Sequence, residues 1–263
     1  MTASTATAHG SRQYRENGPG SGFIIEFFGL SGVGKTTLAT ALSDKLYSLG
    51  MPFHSHRGKS LFFTNLSVWR QRLHALEGWI HNPVGICRVA INLLKAVNSG
   101  RDNQVDSLYK QRLLLKWLKR WAMYIYSVNS MRNSGGLYVL DRGVCTNLLS
   151  ITTRVEIDDI QPLGMALAAA GAFPDLLIAV EAHPESIAAR RRMRGDQKKF
   201  WQSDWNNEYR KYVQVRDLAD KIFRITGGRL IRVSAETPVS VTVNSSIIID
   251  ALPNFFNNIG GVV

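Results

Sequence analysis

Cysteine is almost absent from this chain: Cys87 and Cys145 are the only two in 263 residues. They are too few and too far apart for a disulfide framework or a zinc cluster, and the six histidines show no metal-ligand spacing. Both thiols are assigned to packing, and the reducing cytoplasm is the simplest compartment. Acidic residues are also scarce, 20 against 32 basic, and the resulting formal charge of +12 favours anionic partners such as nucleotides, nucleic acid or lipid headgroups. No long hydrophobic run occurs. The most apolar window, WIHNPVGICRVAINLLKAV, is broken by Pro83, Arg88 and Lys95, so no transmembrane segment is expected. The opening MTASTATAHGSRQYRENGPGSG lacks the apolar centre of a signal peptide and reads as a disordered tail over residues 1–21. With no internal repeat and no dividing linker, residues 22–263 are expected to form a single domain.

What is present is a rhythm. Apolar runs bounded by turn residues recur as FIIEFF (23–28), PFHSH (52–56), LYVLD (137–141), DLLIAVE (175–181) and LIRVSA (230–235), with helical periodicity between them. KTTLATALSDKLYSLG is the first such helix, with Gly50 as its C-terminal stop. Strands buried on both faces and separated by helices predict a three-layer α/β/α fold around a parallel five-stranded sheet. Ligands of such sheets bind beyond the carboxyl ends of the strands, where the Gly29 loop, Asp141 and Glu181 all fall. Residues 60–133 break the rhythm: the pattern there is helical and strandless, an enlarged insertion or substrate-covering region. Its stretch LYKQRLLLKWLKRWAMYIYSVNSMR is a basic amphipathic helix, read as packed on the sheet, with a membrane-surface role for Trp117, Trp121 and the cations as the rival.

The chemistry starts at GLSGVGKTT. Gly29, Gly34, Lys35 and Thr36 satisfy G-x-x-x-x-G-K-[ST], the Walker A pattern, in its strand, loop, helix context. Glycines let successive N–H groups curl inward toward phosphate oxygens, and the following helix turns its positive end to the same place. The loop Gly29, Leu30, Ser31, Gly32, Val33, Gly34, Lys35, Thr36 and Thr37 is therefore the expected nucleotide cradle, with Lys35 on the outer phosphates and Thr36 on Mg²⁺.

Two further elements join it. The run LYVLDR ends an apolar strand in Asp141 and Arg142. A carboxylate there can hold Mg²⁺ through water or take a proton from an incoming nucleophile, and the arginine can grip an acceptor phosphate. HPESIAARRRMRGDQKK places Arg190, Arg191, Arg192 and Arg194 at a helix end, more cations than capping requires, as a lid closing over transferred phosphate at about residues 188–204.

Taken in order, GLSGVGKTT, LYVLDR, PDLLIAVEAHPESIAARRRMRGD and EYRKYVQVRDLA resemble the thymidylate kinase branch of the P-loop nucleoside monophosphate kinases, over Phe23 to about Pro253. The resemblance implies a P-loop nucleotide-kinase fold with an enlarged helical insertion, and ATP and Mg²⁺ as cofactors. It implies Lys35, Asp141, Arg142, Arg190 and Arg194 as catalytic groups and Arg57, Arg120 and Arg142 on the acceptor. The chain departs from the family's pattern in several places. Phe28 stands where an acidic residue usually precedes the loop, with Glu26 two residues back, and Ala122 stands where a base-reading glutamine would fall. Gly143 replaces a common aromatic, and HSHRGKS keeps only Arg57 of a longer motif. The phosphate machinery is retained and the base-reading parts are not.

The expected function is thus a cytoplasmic, Mg²⁺-dependent transfer of the γ-phosphate of ATP to a small acceptor. That acceptor is a nucleoside monophosphate or another small phosphorylated or hydroxylated metabolite. A homodimer is left open. The rival is a nucleotide-gated P-loop ATPase that binds nucleic acid or an anionic membrane surface through the basic helical region.

Overall fold

All five apolar runs become strands: β1 (Phe23–Phe28), β2 (Phe53–His56), β3 (Leu137–Leu140), β4 (Leu176–Glu181) and β5 (Arg229–Ser234). They are ordered β2-β3-β1-β4-β5 and every neighbouring pair is parallel. The computed structural model describes residues 21–56, 68–99, 107–155, 157, 159–194 and 202–252. Residues 1–20 of the expected tail and 195–201 of the expected lid lie outside the described residues, as does Arg57.

Around the sheet run α1 (Lys35–Ser48), α2 (Val68–His81), α3 (Pro83–Ser99), α4 (Ser107–Ser134), α5 (Val144–Val155), α6 (Gln161–Ala169), α7 (Pro184–Met193), α8 (Gln202–Thr226) and α9 (Pro238–Asp250). Strand side chains alternate between faces, so Ile25 and Phe27 meet the α1 and α9 side. Ile24, Glu26 and Phe28 meet the α4, α5 and α8 side, where Phe28 stacks on Tyr212 with ring centres 5.0 Å apart. Burial on both faces explains why β1 reads as a continuous apolar run: all of Ile24, Ile25, Phe27 and Phe28 are fully buried. Each such side chain contributes about 1.5–3 kcal/mol of transfer free energy.

Two polar ties set the strands in register with the helices. Asp175, just before β4, accepts from the Ile24 backbone N–H at 2.9 Å. Arg132, near the end of α4, donates to the carbonyls of Gly171 (2.6 Å) and Phe173 (2.5 Å). At the other end of α1, Gly50 adopts a φ of +67°, and its N–H closes the last turn on the Tyr47 carbonyl at 3.0 Å.

The insertion is helical where it is described, as α2, α3 and most of α4. Trp117 and Trp121 correct the membrane-surface option for α4. Trp117 is 1% exposed and Trp121 fully buried, their rings 6.1 Å apart in the layer between α4 and its neighbours. Helix α2 crosses α4 so closely that a Cβ at Gly78 would lie 2.5 Å from the Ala122 carbonyl oxygen. Cys145 is buried as expected, but Cys87 is exposed, so its assignment to packing does not hold. Among the described residues no helix is long and apolar enough to cross a membrane.

Candidate functional site

The loop between β1 and α1 is shaped by backbone conformations that only glycine adopts freely. Gly32 has a φ of +84° and Gly34, the N-cap of α1, a φ of +109°. Gly29 is required for space instead, since a Cβ there would meet the Val180 carbonyl oxygen at 2.5 Å. The Lys35 ammonium folds back over this loop, donating to the carbonyls of Gly29 at 2.7 Å and Leu30 at 2.9 Å. Burial pushes it down to about 8 from its usual 10.5, a fall opposed by Asp141 and reinforced by Arg142 and Arg191. A desolvated ammonium bonded only to carbonyls is a group that an anion relieves. Leu30 and Val33 are buried and anchor the loop, while Ser31, Thr36 and Thr37 face solvent.

β1 and β3 are adjacent parallel strands, so the chain leaves both at the same sheet edge. Asp141, the residue after β3, is 2% exposed and accepts a hydrogen bond from the Thr36 hydroxyl at 3.0 Å. Residues 105 positions apart thereby converge beside Lys35. A threonine hydroxyl and a carboxylate at this separation are hard oxygen donors, the set that Mg²⁺ takes alongside phosphate oxygens and water. The residues fit a Mg²⁺-bound nucleotide. Among the described residues no cluster of three or more His, Cys, Asp or Glu offers an independent metal site. Arg142 is exposed at the mouth, and Glu181, the third expected strand-end group, is turned away to Tyr212 (3.3 Å) and Arg216 (3.0 Å) on α8.

The arginine run of α7 is divided by helix phase. Arg190 is engaged by backbone carbonyls, those of Val33 at 2.9 Å, Ala235 at 2.6 Å and Glu236 at 3.0 Å. It joins the loop to the segment after β5. Arg191 is the buried member, 7% exposed: its Nε donates to the Ser31 carbonyl at 2.7 Å, and its two terminal nitrogens donate to the Glu208 carboxylate, each at 2.9 Å. A Cβ on Gly32 would sit 3.0 Å from its side chain. Arg192 and Arg194 are exposed. Sequence reading chose Arg190 and Arg194 and missed Arg191 and Glu208 as partners of the loop. The spacing from Ile187 and Ala188, the apolar face of α7, is the signal that marks Arg191 as inward-facing.

On the α4 and α5 side, the Arg120 guanidinium lies over the Trp117 ring at 4.9 Å, and burial, then Arg154, lowers its pKa. Below Asp141 and Arg142, Oε1 of the Glu26 carboxyl accepts from the backbone N–H groups of Cys145 at 3.0 Å and Thr146 at 3.2 Å, in the first turn of α5. Glu26 Oε2, the Trp117 and Trp121 indole nitrogens and Thr146 Oγ1 are buried without a hydrogen-bond partner.

No protein-family model matches the chain, and no curated protein does. Among the solved structures that follow most of its course are two thymidylate kinases. One is thymidylate kinase from Ehrlichia chaffeensis, 14% identical over 88% of this chain and 99% of that one, with a TM-score of 0.44. The other is thymidylate kinase from Candida albicans, 18% identical over 89% and 94%, with a TM-score of 0.47. At these values the chemistry of the site rests on its own residues.

Proposed function

We propose that this protein is an ATP- and Mg²⁺-dependent phosphotransferase that moves the γ-phosphate of ATP to a small phosphorylated or hydroxylated acceptor. The observation that carries the reading is the meeting of Thr36 with Asp141 beside Lys35, at the mouth of a glycine loop. ATP supplies the phosphoryl group and Mg²⁺ neutralises charge on its oxygens. The loop N–H groups and Lys35 would hold the phosphate chain, and Thr36 and Asp141 would hold the metal. Arg142 and Arg120 line the acceptor side, with Arg57 added from sequence. The bond from the γ-phosphorus to its bridging oxygen breaks, a bond to the acceptor oxygen forms, and ADP leaves. Where the acceptor is a hydroxyl, its proton passes to Asp141 or through it to water. Positioning and charge stabilisation do most of the work in such transfers. Both cysteines are free thiols, which supports a reducing, cytoplasmic setting.

The test is Mg²⁺-dependent ATP consumption across nucleoside monophosphates, nucleosides and phosphorylated sugars, with product masses read directly. One acceptor gaining one phosphate establishes the reading; ADP formation indifferent to every acceptor counts against it. A second reading, a nucleotide-gated protein docking on an anionic surface, draws on one feature. Helix α3 exposes Val84 (63%), Ile91 (53%) and Leu94 (47%) beside exposed Arg88 and Lys95. That reading requires salt-dependent binding to polyanions or anionic vesicles and no phosphorylated product.

A further inference from the structure

Glu26 is a carboxyl group in the middle of a central strand, fully buried and flanked on its own face by Ile24 and Phe28. A strand interior has no use for such a group unless its oxygens are engaged. One is: Oε1 receives the Cys145 and Thr146 N–H groups, two donors that the first turn of α5 otherwise leaves unsatisfied. The other, Oε2, points at the turn between β3 and α5. A Cβ added at Gly143 would overlap it and would lie 2.8 Å from the Tyr124 hydroxyl of α4. Glycine at 143 and glutamate at 26 are therefore a matched pair, and the turn they shape is the one that presents Asp141 and Arg142.

We propose that Glu26 is a positioning residue for the acceptor side of the site: by holding the first turn of α5 from beneath, it fixes the β3–α5 turn and with it Asp141 and Arg142. The role rests on the phosphotransferase reading for its catalytic consequence, but the positioning itself does not. The titratable groups that face Glu26 are Tyr124 from α4 and Cys145 from α5. Burial pushes both well up, so neither is charged, and among the described residues no ion pair reaches the Glu26 carboxyl. The hydrogen bonds at Oε1 rather than an ion pair make the contact, and an amide in place of the carboxyl preserves an accepting oxygen there.

The experiment compares Glu26→Gln, Glu26→Ala, Gly143→Ala and the double variant Glu26→Ala/Gly143→Ala with the parent, all as the full chain. Hydrogen exchange resolved on peptides covering 141–149 and 29–37 is read first. Glu26→Ala should speed exchange at 141–149 about tenfold, with 29–37 unchanged, whereas Glu26→Gln should stay near the parent. Metal-free ADP affinity should hold within about twofold in every variant, because the Gly29–Thr37 loop is not disturbed. Mg²⁺-dependent ATP turnover should fall roughly tenfold to a hundredfold in Glu26→Ala and Gly143→Ala. The double variant should recover part of the turnover lost in Gly143→Ala alone, because the more severe of the two overlaps, that with the Glu26 carboxyl, is then gone and only the Tyr124 hydroxyl remains close. Unchanged exchange at 141–149 in Glu26→Ala, or strictly additive losses in the double variant, would overturn the proposal. If the parent turns over no ATP, the exchange data still decide the positioning, and the kinase reading fails separately.

Discussion

Arg191 and Glu208 form a two-armed pair, 2.9 Å at each arm, that ties the glycine loop between β1 and α1 to α8. The third guanidinium bond, from Nε to the Ser31 carbonyl, makes α7 the strut between them. A planar fork of this kind engages a carboxylate on one edge and a carbonyl on another, and lysine cannot reproduce it.

Arg191→Lys should therefore behave as a loss rather than a conservative change. It should weaken ATP binding by about tenfold, roughly 1.4 kcal/mol, because the loop loses its outer brace. A double-mutant cycle of Arg191→Ala with Glu208→Ala should return a coupling of about 1–3 kcal/mol by thermal or denaturant unfolding. Independent effects of the two changes would show that the pair does not hold the loop.

Lys35 makes a prediction about protons. In the free protein its ammonium is pushed down to about 8, and phosphate oxygens should return it upward. Below pH 8 the group is already charged and no uptake accompanies binding. Above pH 8, nucleotide binding should draw up to one proton, and ATP affinity should fall by about tenfold per pH unit until the bound-state value is reached. Calorimetry in two buffers of different ionisation enthalpy measures the uptake. Lys35→Ala should abolish both the uptake and the transfer while melting cooperatively like the parent.

The loop and the five strands were legible because each depends on neighbouring residues: apolar runs for the strands, glycine spacing for the loop. The convergence of Thr36 and Asp141 was legible too, since parallel strands deliver their carboxyl ends to one edge. Arg191 was harder. Four arginines within five positions look alike in sequence, and only the rotation of α7 about its axis selects the one that meets Ser31. Trp117 and Trp121 left two readings open for a related reason, since cations beside tryptophans on one helix suit either an interface or packing; their burial bears out the packed reading. Glu26 was noticed for its place before the loop, but its partner Cys145 lies 119 residues away, and no local pattern predicts that contact.

Asp141 should separate metal binding from nucleotide binding. Asp141→Asn keeps an oxygen within reach of Thr36 but removes the charge that favours a divalent cation. The Mg²⁺ concentration for half-maximal turnover should rise, and turnover at saturation should drop about 10²- to 10³-fold, while metal-free ADP binding changes little. Thr36→Ser should retain activity and Thr36→Val should resemble Asp141→Asn, because the hydroxyl and not the methyl makes the contact. Equal Mg²⁺ curves for parent and Asp141→Asn would remove Asp141 from the metal site.

Glu26 should leave a signature in the dependence of stability on pH. Burial first, against opposing N–H bonds from residues 143–146, pushes its carboxyl up to about 8, whereas the unfolded chain releases that proton near 4.5. Between these values the folded state binds the extra proton, so this group makes stability fall as pH rises from about 4.5 to 8 and adds no further slope above. The full span corresponds to roughly 4–5 kcal/mol. Glu26→Gln carries no titrating proton and should flatten the curve in that window, so the variant gains on the parent as pH rises toward 8. Tyr124 and Cys145, the other titratable groups facing it, are both shifted upward and do not titrate in that range. Denaturant unfolding at pH 5, 6, 7 and 8 measures the difference, and parallel curves for parent and Glu26→Gln would mean that Glu26 is ionised in the folded protein throughout.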